Sequence, residues 1–257
     1  MRFAMASYEE ELKKYQPFAL KTSTIALLGK KLLVYGRDNF IKHGPAMIVG
    51  NHCGAYKDVA VVCKIVPWPF FFTANREIFS KSEFSYLVRK HLYRNLGNFG
   101  LFLNFFLNPY KSLFVQYISS NIAKVGTIPV DLYVHGKREA IERCQEYLKK
   151  GRVLIALQGR GRIIAKNPNP YVTPFGRGIS IISYNMTKDE GMAVPVTPMA
   201  MYGTHRPFLV PSKIHVSIGP PMFITDYWLK SFEETVDRFK KALEAKVNEL
   251  FLELIRK

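Results

Sequence analysis

Cysteine is scarce in this sequence. Cys53, Cys63 and Cys144 are the three in 257 residues, and none forms a CxxC pair, which argues against a disulfide framework and for reduced thiols. Acidic residues are also few, 20 Asp and Glu against 37 Lys and Arg, for a formal net charge of +17. Such a field attracts anions: phospholipid head groups, nucleotide-like thioesters or nucleic acid. The basic residues are spread along the chain and no recognised nucleic-acid module is present, so no nucleic-acid partner is expected. No apolar run of about 18 residues occurs, so a bilayer-spanning helix is not expected. Met1–Lys14 lacks the apolar segment of a secretory leader and carries Glu9, Glu10 and Glu11. There is no internal repeat and no low-complexity tract. What the chain does have is apolar content, 48% hydrophobic and 14% aromatic, enough for a sizeable core in one large domain or in one domain with a small appendage.

Residues 8–35 read as helical, with a break at Pro17; from Phe18 to Val34 the segment is apolar with interspersed lysines, a pattern suited to a membrane interface or to packing on a core. Short apolar runs at 46–49, 70–74, 127–130, 153–157, 193–201 and 214–218 read as strands. Residues 137–150 form an amphipathic helix closed by Gly151, residues 178–184 look helical, and a long charged helix runs from Phe232 to the end. This alternation predicts an α/β fold: a mixed, largely buried β-sheet flanked by helices, with N-terminal membrane-associating helices. The stretch 96–118 is rich in Phe and Leu but interrupted by Asn98, Asn104, Asn108, Pro109 and Lys111. A span through lipid would strand those polar groups, whereas a surface-lying patch tolerates them, so the stretch reads either as membrane or acyl-chain contact or as plain core.

Asn51-His52 follows the run 46–49, and Asp58 comes shortly after. Imidazole titrates near neutrality and can take a proton from an alcohol, while a carboxylate on its other nitrogen fixes the tautomer. A hydrogen-bonded structural histidine is the bland alternative. His91, His135, His205 and His215 lack metal-ligand spacing, so no metal site is expected. Cys53 adjoins His52, but adjacent side chains usually diverge, so a thiol–imidazole pair is not expected.

The stretch Tyr35–Asn39 followed by Gly44–His52 resembles the start of the catalytic site in the 1-acylglycerol-3-phosphate acyltransferase family. Further blocks occur in the family's order: Thr73–Phe79, Gly126–Asp131, Val153–Arg162 and Val194–Ala200. The resemblance covers residues 35–220 and implies two regions, N-terminal helices over 1–35 and an acyltransferase domain over 36–257. It implies transfer of a fatty acyl group from acyl-CoA or an acyl-carrier protein to the hydroxyl of a lysophospholipid such as lysophosphatidic acid. His52 would be the base and Asp58 its orienter, with Asn51, Gln158 and Gly159 as further site residues. Backbone N–H groups near Gly159 would stabilise the oxyanion. Arg76, Arg160 and Arg162 follow predicted strands and would grip the substrate phosphate through planar guanidinium forks. No cofactor is implied, and the expected setting is an anionic membrane surface on the cytoplasmic face, met peripherally or monotopically.

Two departures from the family pattern stand out. The family has four residues between His and Asp; here Cys53–Lys57 make five. At about 100° per helical residue, the insertion turns the carboxylate away unless the Cys53-Gly54 turn absorbs it, which a positive φ at Gly54 would allow. The family's Glu in the third block is Gln158 here, which keeps hydrogen bonding and loses charge. These departures frame the alternative: a catalytically silent or acceptor-shifted lipid-binding relative of the same fold.

Overall fold

The computed structural model describes residues 5–42, 44–54, 56–66, 69–130, 137–158, 172–206 and 209–256. Helix α1 (Met5–Ala26) leads to β1 (Lys30–Tyr35), β2 (Ala46–Asn51), α2 (Tyr56–Ile65) and β3 (Phe70–Asn75). Helices α3 (Lys81–Phe106) and α4 (Asn108–Asn121) follow, then β4 (Thr127–Val130), α5 (Lys137–Lys149) and β5 (Val153–Gln158). The chain closes with α6 (Gly178–Glu190), β6 (Val196–Tyr202), β7 (Ser212–Ile218) and α7 (Phe232–Ile255).

Seven strands form one sheet in the order β1-β7-β6-β2-β5-β3-β4. Every neighbouring pair is parallel except β6 with β7, so the sheet is mixed, as the sequence suggests. Alternation along β2 and β5 sorts the side chains into two cores. Met47, Val49, Leu154 and Ala156 pack with Leu148 of α5, Ile182 of α6 and Phe239 and Val247 of α7. Ile48 and Ile155 face the other way, onto Val61, Val62 and Ile65 of α2 and Met199 and Met201 of β6. A sheet covered on both faces explains why its strands read as continuous apolar runs. Helix α7 is started by Ser231, whose hydroxyl accepts from the Glu234 N–H at 3.2 Å.

The N-terminal reading needs correcting. Residues 30–35 are not helical: Gly29 (φ 75°) ends the helical segment, and Lys30–Tyr35 pair in parallel with Ser212–Ser217. The partner strand lies some 180 residues away, so local periodicity carries no sign of it. Pro17 sits inside α1 rather than ending it. Strand β6 starts at Val196, one residue past Pro195, whose carbonyl accepts from Met47 N–H at 2.8 Å. Pro198 is tolerated inside β6 with its carbonyl bound by Gly219 N–H at 2.8 Å. Cys53, Cys63 and Cys144 are buried thiols outside any disulfide.

Phe239 is fully buried in the larger core, beneath the sheet. Phe239→Ala is expected to cost about 3–5 kcal/mol in a chemical denaturation experiment, because the cavity sits where the helix cannot collapse.

Candidate active site

β2 is buried along its whole length and delivers Asn51 to the carboxyl edge of the sheet, with His52 just beyond it. Carboxyl ends of parallel strands are where open α/β sheets place their ligand crevices. Asn51 is the anchor. Its Nδ2 donates to the Met201 carbonyl at 2.9 Å, and its Oδ1 accepts from the Met201 N–H at 2.7 Å. The side chain thus acts as one more peptide unit between β2 and β6, and it is fully buried rather than turned to a substrate.

The chain then turns through Cys53 and Gly54 into α2. Asp58 lies in the first turn of that helix, where free N–H groups and the helix dipole favour a negative charge. Its Oδ2 accepts from the Gly54 N–H at 2.6 Å and lies 2.9 Å from His52 Nδ1. The carboxylate is completely buried, while the His52 side chain keeps 25% of its surface exposed. A proton on Nδ1 makes the contact a donated hydrogen bond and leaves Nε2 as the ring's acceptor. Asp58 Oδ1 is buried without a hydrogen-bond partner, so the charge leans on the Oδ2 contacts and the helix terminus.

The extra residue between His52 and Asp58 is therefore absorbed, but not by the expected route. Gly54 has no positive φ. It is needed for space: a Cβ there would fall 2.3 Å from Thr204 Cβ and 2.4 Å from its Oγ1. Thr204 Oγ1 also lies 3.3 Å from Cys53 Sγ, and Lys57 Nζ donates to the Arg206 carbonyl. The β6–β7 connection thus braces the turn carrying His52, a role the sequence reading missed. The available signal was the surplus residue itself, which demands a packing partner.

Cys53 is buried beside the Asp58 carboxylate. Burial, then the Asp58 charge, pushes its thiol up to about 12, so it stays protonated at neutral pH. Lys57 is held below the ordinary lysine range by burial first and by Lys30 second.

Arg76 opens a short 3-10 turn directly after β3 and is exposed, on the same sheet edge as His52. Two strand spacings separate β3 from β2 through β5, about 10 Å. Gln158 is the last residue of β5, level with Asn51 in the parallel register. Its Oε1 accepts from the Gly176 N–H at 3.1 Å, tying the strand end to the segment that leads into α6. Gly159, Arg160 and Arg162 lie outside the described residues. Among the described residues, no three His, Cys, Asp or Glu side chains group as a metal site would need. A cleft of about 420 Å³ lined by Phe40, Ala46, Ile48 and Val153 sits at the opposite ends of β2 and β5 and is not part of this site.

No family model matches the chain. A search of the curated proteins gives no match in sequence. Among solved structures, the chain is similar to the crystal structure of the 1-acyl-sn-glycerophosphate (LPA) acyltransferase PlsC from Thermotoga maritima. The TM-score is 0.53 at 19% identity, covering 97% of this chain and 84% of that one. The chain therefore has a fold like that of an LPA acyltransferase.

Two outcomes follow from the braced turn. Gly54→Ala should lower stability by about 1–3 kcal/mol, read as a fall in melting temperature, because neither backbone can yield freely; an unchanged melting temperature would refute the packing argument. The native protein should give no reaction with an aromatic disulfide reagent at pH 8 until it is unfolded, since all three thiols are buried.

Proposed function

We propose that this chain transfers a fatty acyl group from an acyl thioester, carried by CoA or an acyl-carrier protein, to the free hydroxyl of a lysophospholipid such as lysophosphatidic acid. The observation that carries this reading is the His52 imidazole, held through Nδ1 by the buried Asp58 carboxylate at 2.9 Å while 25% of its side-chain surface stays exposed. The likeness in fold to an LPA acyltransferase supports it.

His52 Nε2 takes the hydroxyl proton as the oxygen attacks the thioester carbonyl carbon. A tetrahedral oxyanion forms. Its collapse breaks the carbon–sulfur bond, and the departing thiolate takes the proton back from the imidazolium. The products are an ester and a free thiol, and no covalent enzyme intermediate or metal enters the scheme. Asp58 holds the imidazole in the working tautomer and balances the transient imidazolium. Arg76 is proposed to bind the acceptor phosphate, joined by Arg160 and Arg162, which follow β5 in the sequence. Backbone N–H groups near Gly159 are proposed for the oxyanion. The catalytically silent alternative predicts lipid binding without turnover.

With acyl-CoA and lysophosphatidic acid, the purified protein should release free thiol. His52→Ala and Asp58→Asn should each cut the rate by about 10²–10⁴-fold, the range associated with losing a positioned general base or its correct tautomer. The far-ultraviolet circular dichroism should not change. Thiol release that survives His52→Ala removes the base and with it this reading.

A further inference from the structure

The largest feature the candidate site leaves unexplained is the pair α3–α4. Among the described residues, neither core cluster contains one from 81 to 125, although that stretch is among the most aromatic in the chain. On α4, Tyr110, Leu113, Phe114 and Tyr117 recur at i, i+3, i+4 and i+7, the spacing of a core-facing stripe. All four are exposed, Tyr110 at 73% and Leu113 at 68%, and Val115 is the buried residue of this helix among those described. The helix turns its apolar stripe outward, opposite to a helix that packs on a soluble core.

The tip continues the stripe. Helix α3 is broken at Gly97 (φ 56°, ψ −138°), and Gly100 lies against the Leu92 carbonyl, where a Cβ would come within 2.2 Å. After the break, Phe106 packs tilted against Phe102 and edge-on against Phe105, with ring centroids 4.5 and 5.7 Å apart, and Phe105 is 76% exposed. Lys111 Nζ donates to Asn104 Oδ1 at 2.9 Å, so one of the tip's polar side chains is satisfied internally.

Charge divides along the same line. Residues 95–110 carry no charged side chain, whereas the flanks hold Lys81, Arg89, Lys90, Arg94, Lys111 and Lys124 against the single acid Glu83. At the helical rise, 98–106 spans about 13 Å. One leaflet's hydrocarbon is about 15 Å deep. Among the described residues, no helix is long and apolar enough to cross a bilayer.

We propose that the α3–α4 pair inserts into one leaflet of an anionic bilayer, its uncharged aromatic tip in the hydrocarbon and its flanking lysines and arginines at the head groups. The pair leaves the sheet just after Arg76, at the edge that carries His52, so insertion brings that edge to the lipid. This deepens the acyl-transfer reading by naming the attachment element and shifts the expected anchor away from residues 18–34, part of which is sheet. Insertion itself requires no turnover.

The test uses the full chain with phosphatidylcholine–phosphatidylglycerol vesicles and flotation as readout. The unaltered protein should float with the vesicles. Phe105→Glu combined with Leu113→Glu should weaken binding about 100-fold or more, since a carboxylate in hydrocarbon is costly, without lowering the melting temperature. Leu252→Glu, at an exposed position on α7, should bind like the unaltered protein. A Phe105→Cys variant, labelled there selectively because the native thiols are buried, should be quenched more by nitroxides placed along the acyl chain than at the head group. Failure of the unaltered protein to float at low salt overturns the proposal. So does equal binding by the double variant, or a double variant that loses only self-association in sedimentation, which would make a second copy the occupant. Thiol release from a short-chain acyl-CoA with glycerol phosphate reports the chemistry separately. If it is absent while insertion is observed, the transfer reading fails and the anchor stands; if it persists while vesicles are ignored, the reverse holds.

Discussion

A buried carboxylate sets the terms for this end of the molecule. Asp58 has no exposed surface, and an ion in that position is tolerated only where fixed donors replace water. One oxygen receives the Gly54 N–H and the His52 Nδ1–H, and the first turn of α2 supplies its partial positive charge. The geometry of the turn follows. His52 must come back over the helix N-terminus, Gly54 must lie close enough to donate, and no Cβ fits between it and Thr204. The neighbouring thiol of Cys53, packed against Thr204 and close to the carboxylate charge, is forced to remain neutral. A single anion thereby selects the imidazole tautomer, the glycine and the inert cysteine together.

A second regularity concerns how the sheet edge is finished. Three adjacent strands, β2, β5 and β3, end in amide side chains: Asn51, Gln158 and Asn75. Each amide is committed to the main chain. Asn51 exchanges two hydrogen bonds with Met201, Gln158 accepts from Gly176, and Asn75 accepts from the Glu77 N–H that starts the next turn. An amide offers a donor and an acceptor in the geometry of a peptide unit, so it can satisfy backbone where a ladder stops. This gives the Gln at 158 a structural reason. Accepting from the Gly176 N–H requires an oxygen and no charge, and Gln supplies it.

The strands and the late helices were legible because a sheet covered on both faces makes short, β-branched runs bounded by Gly and Pro, and the histidine and aspartate could be paired from their chemistry. The misreadings share one cause, a contact made far along the chain. Lys30–Tyr35 alternates no differently from a helix edge until Ser212–Ser217 lies beside it. Asn51, a site candidate in the sequence, gives both of its amide atoms to the Met201 backbone, a contact with no local sign. The role assigned to Gly54 was a torsional one, and the structure makes it steric, because Thr204 is 150 residues distant in sequence and its approach has no local signature.

The α3–α4 pair shows the same limit in its sharpest form. Periodicity at i, i+3, i+4 and i+7 identifies an amphipathic helix and fixes which residues share a face, but it is silent on whether that face meets protein or something else. Among the described residues, the two cores form without a member of this pair, and both faces of the central strands are covered by other elements. An apolar stripe left over after the core has closed needs another apolar phase, and the charge distribution narrows the choice. A protein partner would be expected to meet a surface of mixed sign, whereas here an uncharged tip is followed on both flanks by cations almost without acids. That ordering, apolar and then cationic along the direction of approach, matches hydrocarbon capped by anionic head groups. The chain's large positive charge would then act before contact, drawing the molecule to the surface, and the aromatic tip after it, holding it there.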